Sequence, residues 1–432
     1  MKTNRRKFIT NSLTCGVAAA TFPLTSFTYS EKTKNNFNEH QNPNYLKLDK
    51  VLEQPVFRKE FFTSPVIIES VELLRDGNKF LCRVRSTDGA EGISVAHSLM
   101  NTFYPVFVKH LQSMFIGLDA RRLDEIVEKA LIFGMNYRYL SLPIGVPLAT
   151  VEFAILDMMG RIANKPIGQL IGTIHKTDIP VYQATEFRER PVEESVQFIK
   201  EAVDRHKAQA VKIKVGALMF MTNDLDAKGP AGRTEQIIPL IRKTFGDDMP
   251  IYADANGYYQ NVDEAIRVGK LLEDYNYMYF EEPTPNFWHQ KTKQVNDALS
   301  IPVAGGEQEH SIYGFRWLLA NGGVEIVQPN QYYFGGMIRS MKVARMAQAM
   351  GKTCTPHLSG DFGFIYMMHF VSAIPNSGPH IEFKGYSDIP LECKTSSLLL
   401  QKDGTIKVPT GAGSGVEIDP DYIKKFKVVK EA

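Results

Sequence analysis

A chain of 432 residues exceeds one ordinary core and implies two domains, or one large barrel with an attachment. Its 44% apolar and 23% charged residues are those of a globular protein, and a net charge of +2 without a basic stripe argues against a nucleic-acid partner. Four scattered cysteines, Cys15, Cys82, Cys354 and Cys393, show no CxxC and no histidine at zinc spacing, so they read as small core residues rather than a disulfide framework or a zinc site.

In chain order, the first predicted element is a targeting segment. Arg5-Arg6-Lys7 precedes a mildly apolar run rich in Ala, Thr and Leu, too short and too polar for a stable membrane span. Arg5-Arg6 followed by Lys7-Phe8-Ile9 is similar to a bacterial twin-arginine signal. Residues 1–30 are therefore expected to direct export of the folded protein to the periplasm or beyond, with no lasting membrane insertion once they are removed. Residues 31–50 are polar and Asn/Lys-rich and predict a flexible linker.

Val66 to Val95 alternates apolar and polar residues, with turns at Asp76-Gly77-Asn78 and Asp88-Gly89, and predicts two or three antiparallel strands. Helical periodicity over Leu111–Leu131 and an apolar helix over Pro147–Ile162 complete an α+β domain. After Pro180, short apolar strands alternate with helices such as Thr234–Phe245, Val262–Tyr275 and Ile338–Met350. Strands are predicted at 181–185, 210–215, 251–256, 277–283, 301–307, 324–330, 353–358 and 380–385. Eight β/α units in about 200 residues predict a TIM-type barrel.

Polar residues recur at the C-terminal ends of these strands: Lys212, Lys214, Asp254, Asn256, Glu281, Glu282, Glu307, Asn330, His357 and Glu382. A barrel gathers those ends on one face, where barrel active sites are built. Charges inside apolar strands are costly unless paired or metal-bound. Asp254, Glu281 and Glu307 end three successive strands, each about one βα unit from the next. Such an all-oxygen set suits a hard ion, Mg²⁺, with Mn²⁺ as a substitute. Glu282 follows Glu281 directly, and strand alternation lets only one of the two face the pocket without saying which.

Lys212-Ile213-Lys214 is a KxK in a barrel strand, so both ammonium groups point into the mouth. Two adjacent cations, and a nearby metal, are expected to depress the lysine pKa and suit Lys214 to act as a general base. The chemistry these parts imply is removal of a proton beside a metal-bound carboxylate, giving an enediolate.

Together, VKIKVG, YADANG, FEEP, GGE, PHL and HIEF fall in order on predicted strands two, three, four, five, seven and eight, and VEFAILDMMGRIANKPIGQLIG leads into the barrel. From roughly Val66 to Tyr422 the chain thereby resembles the mandelate racemase/muconate lactonizing enzyme branch of the enolase superfamily. The resemblance implies a modified TIM barrel, (β/α)7β, over residues 179–384, with an α+β capping domain over 51–178 to which the segment 385–432 returns. It implies Asp254, Glu281 and Glu307 as metal ligands, Lys214 as base and Lys212 as its electrostatic partner. It places Asn256 beside the metal and Glu382 on the substrate carboxylate.

One position departs from the family pattern. Racemase-type members pair the strand-seven histidine with a strand-six aspartate, and here His357 faces Asn330 in IVQPNQYYFGG. An amide orients an imidazole but supplies no charge for imidazolium. His357 is then left to act as an acid on a leaving group or to bind substrate, with Asn330 beside it.

The expected function is dehydration of a sugar acid, an aldonate or aldarate, to a 2-keto-3-deoxy acid. The alternatives are a racemase, epimerase or cycloisomerase working through the same enediolate, or an exported sugar-acid binder without turnover. Specificity candidates at the rim are Tyr332, Tyr333, His310 and Arg188, and the long loop Ala217–Arg233 is a candidate lid. The relatives' habit of assembling implies a homo-oligomer.

Overall fold

The computed structural model describes residues 42–132, 137, 139–185, 188–216, 232–358, 360, 362–385 and 401–430. The expected signal segment, Cys15, Cys393 and residues 217–231 of the expected lid lie outside them.

The stretch expected as a linker becomes helical before its end. Helix α1 (Pro43–Leu52) starts at an Asn-Pro pair: the Asn42 side chain accepts from the Asn44 N–H at 3.0 Å, and Pro43 opens the first turn. Tyr45 and Leu48 are buried, and Asp49 pairs with Arg316 at 2.6 Å. Within the part of that stretch that is described, the polar residues lie on the outer face of a docked helix.

The capping domain is a four-stranded sheet. Strands β1 (Ile68–Asp76), β2 (Lys79–Ser86) and β3 (Glu91–Val95) form an antiparallel meander, as the alternation predicts. The final strand of the chain pairs with β1, Leu74 opposite Val428, so the tail does return to this domain. The single helix expected over Leu111–Leu131 is two. Helix α2 (Met100–Val106) continues through a wider turn to Phe115, and α3 spans Leu123–Ile132. Between them Gly117 is left-handed at φ +80°, and the Asp119 side chain accepts from the N–H of Arg121 and of Val66, both at 3.1 Å. An aspartate that caps a new turn breaks the periodicity its apolar neighbours suggest.

Helix α4 (Leu142–Ala163) is long and apolar enough to cross a membrane, yet 89% of its apolar window is buried inside the protein. It packs on β3 so closely that a Cβ on Gly92 would come within 2.2 Å of the Ala154 carbonyl oxygen. It begins five residues before the expected Pro147, so that Pro143 stands in its first turn and Pro147 lies inside the helix. Helix α5 (Ile167–Ile171) leads into the barrel.

Eight parallel strands follow at the predicted places: β4 (Asp178–Ala184), β5 (Ala210–Lys214), β6 (Ile251–Asp254), β7 (Tyr279–Glu281), β8 (Val303–Gly305), β9 (Ile326–Val327), β10 (Thr353–Cys354) and β11 (Ile381–Phe383). Among the described residues seven helices separate them: α6 (Val192–His206), α7 (Arg233–Phe245), α8 (Val262–Asp274), α9 (His289–Ala298), α10 (Ile312–Ala320), α11 (Met337–Ala349) and α12 (Gly363–Ser372). The sheet runs β10-β9-β8-β7-β6-β5-β4-β11, curled with parallel pairing throughout, and β12 (Thr405–Lys407) adds antiparallel to β4. This is the modified TIM barrel, (β/α)7β, with an α+β cap built from both ends of the chain. The regular strands are shorter than their apolar runs: Lys214, Asp254, Glu281 and Glu382 still lie within them, whereas Asn256, Glu307, Asn330 and His357 stand just beyond.

Candidate active site

Strand register gathers the charges. Lys214, Asp254 and Glu281 are lateral partners across β5, β6 and β7. Residues two apart share a face, so Tyr252 lies below Asp254, Tyr279 below Glu281, and Lys212 below Lys214. Tyr252 stacks on Tyr279 with centroids 4.3 Å apart, and Lys212 Nζ sits 5.2 Å from the centre of the Tyr182 ring. These tyrosines floor the pocket.

Lys212 donates to both oxygens of Glu281, at 2.9 and 2.8 Å, and lies 3.5 Å from Glu382 Oε1 and 3.6 Å from Asp254 Oδ2. Burial opposes its charge, but Glu281 and Glu382 outweigh burial and hold the ammonium well above the usual lysine range. The expected depression by a neighbouring cation is thus corrected for Lys212, whose nearest charges are anions. Lys214 donates to Asp254 Oδ2 at 2.5 Å and to Asn256 Oδ1 at 2.9 Å. Asn256 adopts a left-handed φ of +45°, and its N–H returns to Asp254 Oδ1 at 2.8 Å. Strain of this kind persists only where the surroundings fix it.

The three carboxylates are almost wholly buried. Burial raises the Asp254 carboxyl, but Lys214 and Lys212 overcome burial and leave it below the usual range. Burial, with Asp254 next, pushes Glu281 up to about 7 against the pull of Lys212. Burial and Asp254 likewise raise Glu307 to about 7. No aligned hydrogen bond reaches Glu307 Oε2, although His357 Nε2 stands 3.1 Å away. Crowded, partly under-bonded carboxyl oxygens of this sort are chemistry that a hard divalent cation relieves. Among the described residues, no three such donors yet stand close enough to close on one ion. Asp254 and Glu281 are turned to lysines, and ligation would exchange those contacts. The donor set fits the ion in chemistry.

Glu281 is the inward member of its pair, bonded to Lys212 and to Gln328 Nε2 at 2.9 Å. Glu282 is left-handed at φ +39°, its Oε1 has no hydrogen-bond partner, and burial followed by Glu307 pushes its carboxyl well above the usual range.

The opposite wall comes from β9, β10 and β11. Asn330 Nδ2 lies 2.8 Å from His357 Nδ1, and Asn330 Oδ1 accepts from the backbone N–H of Tyr332 and Tyr333. Burial lowers His357 to about 4, although Glu382 favours its charge. Glu382 lies 3.8 Å from His357 Nε2 and accepts from the Leu358 N–H at 2.9 Å. Burial raises the Glu382 carboxyl, but Lys212 and His357 outweigh burial and leave it lowered.

Lys212, Lys214, Asp254, Asn256, Glu281, Glu307, Asn330, His357 and Glu382 therefore form one connected network. The rim candidates divide. Arg188 is buried and donates to the carbonyls of Val215 and Asp254, at 3.2 and 3.0 Å, tying strand ends together. Tyr332 donates to the Val95 carbonyl at 2.6 Å and joins barrel to cap. His310 is exposed. Tyr333 faces the pocket, its ring 6.3 Å from that of His357.

Three neighbours escape the sequence reading. Gln328 directly follows β9, where strand alternation has ended, and its amide reaches Glu281 Oε2 at 2.9 Å. Lys384 lies two residues after Glu382, and its charge acts on Glu382, His357 and Tyr333. His97 comes from the cap, its ring 5.5 Å from that of Tyr333, and burial lowers it to about 4. No local pattern points to it.

Comparisons with known proteins agree with this architecture. Residues 63–172 match the mandelate racemase/muconate lactonizing enzyme N-terminal domain, and residues 194–422 match the enolase C-terminal domain-like family. Arabinonate dehydratase of Saccharolobus solfataricus is 24% identical over 80% of this chain and 89% of its own length. D-galactarolactone cycloisomerase of Agrobacterium fabrum is 27% identical over 74% of this chain and 84% of its own. A mandelate racemase/muconate lactonizing protein from Paracoccus denitrificans PD1222, solved in complex with magnesium, superposes with a TM-score of 0.74 at 23% identity, covering 85% of this chain and all of that one. With its two-part cap, its (β/α)7β barrel and both family domains in place, this chain belongs to the mandelate racemase/muconate lactonizing enzyme branch of the enolase superfamily.

Proposed function

We propose that the protein is a Mg²⁺-dependent hydro-lyase that dehydrates a sugar acid to a 2-keto-3-deoxy acid. One observation carries the reading: Lys214 Nζ, at the C-terminal end of β5, stands against Asp254 and Asn256 beside a buried carboxylate cluster. The names of the relatives above, a dehydratase and a cycloisomerase of acid sugars, support the substrate class.

Asp254, Glu281 and Glu307 would hold Mg²⁺, or Mn²⁺ in its place, and the ion would supply positive charge at the substrate carboxylate. The Lys214 amine takes the α-proton. Asn256, whose Oδ1 accepts from it at 2.9 Å, holds its nitrogen in position for that transfer. Lys212, 3.5 Å from Glu382, adds a positive charge beneath the developing enediolate. The β-hydroxyl then departs, taking a proton and leaving as water, and the enol product ketonises.

The test is incubation of the purified protein with Mg²⁺ and a panel of aldonic and aldaric acids, assayed for 2-keto products. Inversion or ring rearrangement without 2-keto product would overturn dehydration. A second reading, cycloisomerisation, is favoured by D-galactarolactone cycloisomerase and by 3,6-anhydro-alpha-L-galactonate cycloisomerase, the latter 26% identical. Deuterium entering the α-carbon from solvent, without loss of water, is its signature.

Export through the twin-arginine-like segment and assembly into a homo-oligomer belong to the same proposal. Cell fractionation of the full chain and of an Arg5→Lys/Arg6→Lys variant tests the first, and light scattering of the purified protein tests the second.

A further inference from the structure

We propose that Asn330 fixes His357 as a neutral hydrogen-bond donor through Nε2, so that this wall of the pocket neither removes nor delivers a proton. Asn330 follows β9, and its Oδ1 accepts from the N–H groups of Tyr332 and Tyr333, at 3.0 and 3.1 Å. Two backbone donors at one end settle which end of the amide is oxygen. The end 2.8 Å from His357 Nδ1 is then the nitrogen. An amide NH₂ only donates, so Nδ1 carries the lone pair and the single ring hydrogen sits on Nε2. On the far side of the ring Nε2 stands 3.1 Å from Glu307 Oε2, out of line for a hydrogen bond, and 3.8 Å from Glu382 Oε2, so its hydrogen is left to point at a bound molecule.

The tautomer decides the chemistry. A base at Nε2 needs its hydrogen moved to Nδ1, where it would collide with the Asn330 NH₂. A cationic acid needs both ring nitrogens protonated and meets the same collision. An aspartate at position 330 would do the reverse, accepting from Nδ1–H and freeing the Nε2 lone pair. A neutral Nε2–H can donate a hydrogen bond to a developing oxyanion or to a substrate hydroxyl.

The consequence for turnover rests on the proposed dehydration. The Lys214 amine takes the α-proton as the C–H bond breaks. The C–O bond then breaks with its electron pair on oxygen. With His357 unable to supply a proton, the Lys214 ammonium returns the one it took, water leaves, and the amine is restored. Both transfers lie on one face of the substrate, a syn elimination.

The test is the nitrogen spectrum of the full chain labelled with ¹⁵N-histidine, recorded with Mg²⁺ in the buffer, His357 being identified by its loss in His357→Gln. The expected spectrum shows a pyridine-type Nδ1 and a pyrrole-type Nε2. Asn330→Asp, whose carboxylate can still accept from Tyr332 and Tyr333, should place a hydrogen on Nδ1. A pyrrole-type Nδ1 in the unsubstituted protein overturns the proposal, as does an unchanged pattern in Asn330→Asp. Should Asn330→Asp not fold, the unsubstituted spectrum alone decides. No substrate enters this measurement, so an inactive acid panel and a wrong tautomer are separate failures.

Discussion

The two walls of the pocket are built on opposite principles. On β5, β6 and β7, cations and anions interleave: Lys212 against Glu281, Lys214 against Asp254. On β9 and β10, an amide, two backbone N–H groups and a buried imidazole lock one another. In the first wall a proton can leave or arrive with compensating charge beside it. In the second, a change of protonation breaks a buried hydrogen bond and leaves two donors facing. The difference teaches that proton transfer follows the neighbours of a side chain rather than its type, since histidine is usually the mobile group and lysine the fixed one.

The largest expected effect breaks the walls apart. Lys214→Ala should lower kcat on the order of 10⁴-fold, at the top of the range for a general base. His357→Gln keeps a donor and should cost well under the roughly 10²–10³-fold of a lost oxyanion donor. Steady-state kinetics on the acid found active in the panel measures both, and equal losses would erase the contrast. The same pair addresses the binder without turnover, which would keep full function in Lys214→Ala.

Next comes the metal. Glu307 belongs to neither ion-paired lysine and touches His357 at the seam of the two walls. Glu307→Gln should weaken Mg²⁺ binding by roughly 10²-fold or more, beyond the ~10–100-fold of an outer partner. Titration calorimetry on protein stripped with a chelator reads it. An unchanged affinity would remove Glu307 from the ligand set.

Much of the lysine wall was legible in the sequence, because its residues lie inside regular strands where period two dictates direction. Lys212, Lys214 and Asp254 needed only strand positions, while the choice of Glu281 over Glu282 came from the resemblance. The imidazole wall was less legible. Asn330 and His357 lie beyond the two-residue strands β9 and β10, where alternation no longer governs. Their pairing was foreseen from resemblance, whereas the direction of the amide depends on the N–H groups of Tyr332 and Tyr333, which no motif encodes. His97 reaches the pocket only through the packing of cap on barrel. Helix α1 was missed for another reason: its Asn-Pro start was outweighed by the polar composition around it.

A buried histidine outside the pocket sharpens the comparison. His369 on α12 is wholly buried, and its Nε2 lies 2.8 Å from the Ser414 carbonyl. Burial lowers it from 6.5 to about 4, the Ser414 contact pulling the other way. Its folded pKa is depressed, so an unfolded chain binds the proton first as pH falls. Its contribution is complete above about 6.5 and is lost as pH falls toward 4. The loss is on the order of 3 kcal/mol at about 1.4 kcal/mol per pH unit. Denaturant unfolding between these limits should show a shallower acid slope in His369→Gln, and an identical slope would mean that His369 is not a source of the acid lability.

The smallest effect is the most diagnostic of separateness. Gln328 is carried by β9, on the imidazole wall, yet its amide donates to Glu281 on the lysine wall at 2.9 Å. It joins the walls directly, beside the Lys212–Glu382 pair and the Glu307–His357 contact. Gln328→Ala removes one donor from Glu281 while Lys212 still bonds both carboxylate oxygens. The expected cost is about 1 kcal/mol, the net value of one hydrogen bond, or roughly fivefold in kcat if all of it falls on the transition state. Thermal unfolding and kinetics separate the two contributions. A loss approaching that of Lys214→Ala would show that Lys212 does not hold Glu281 by itself, and that the walls act as one unit through this glutamine.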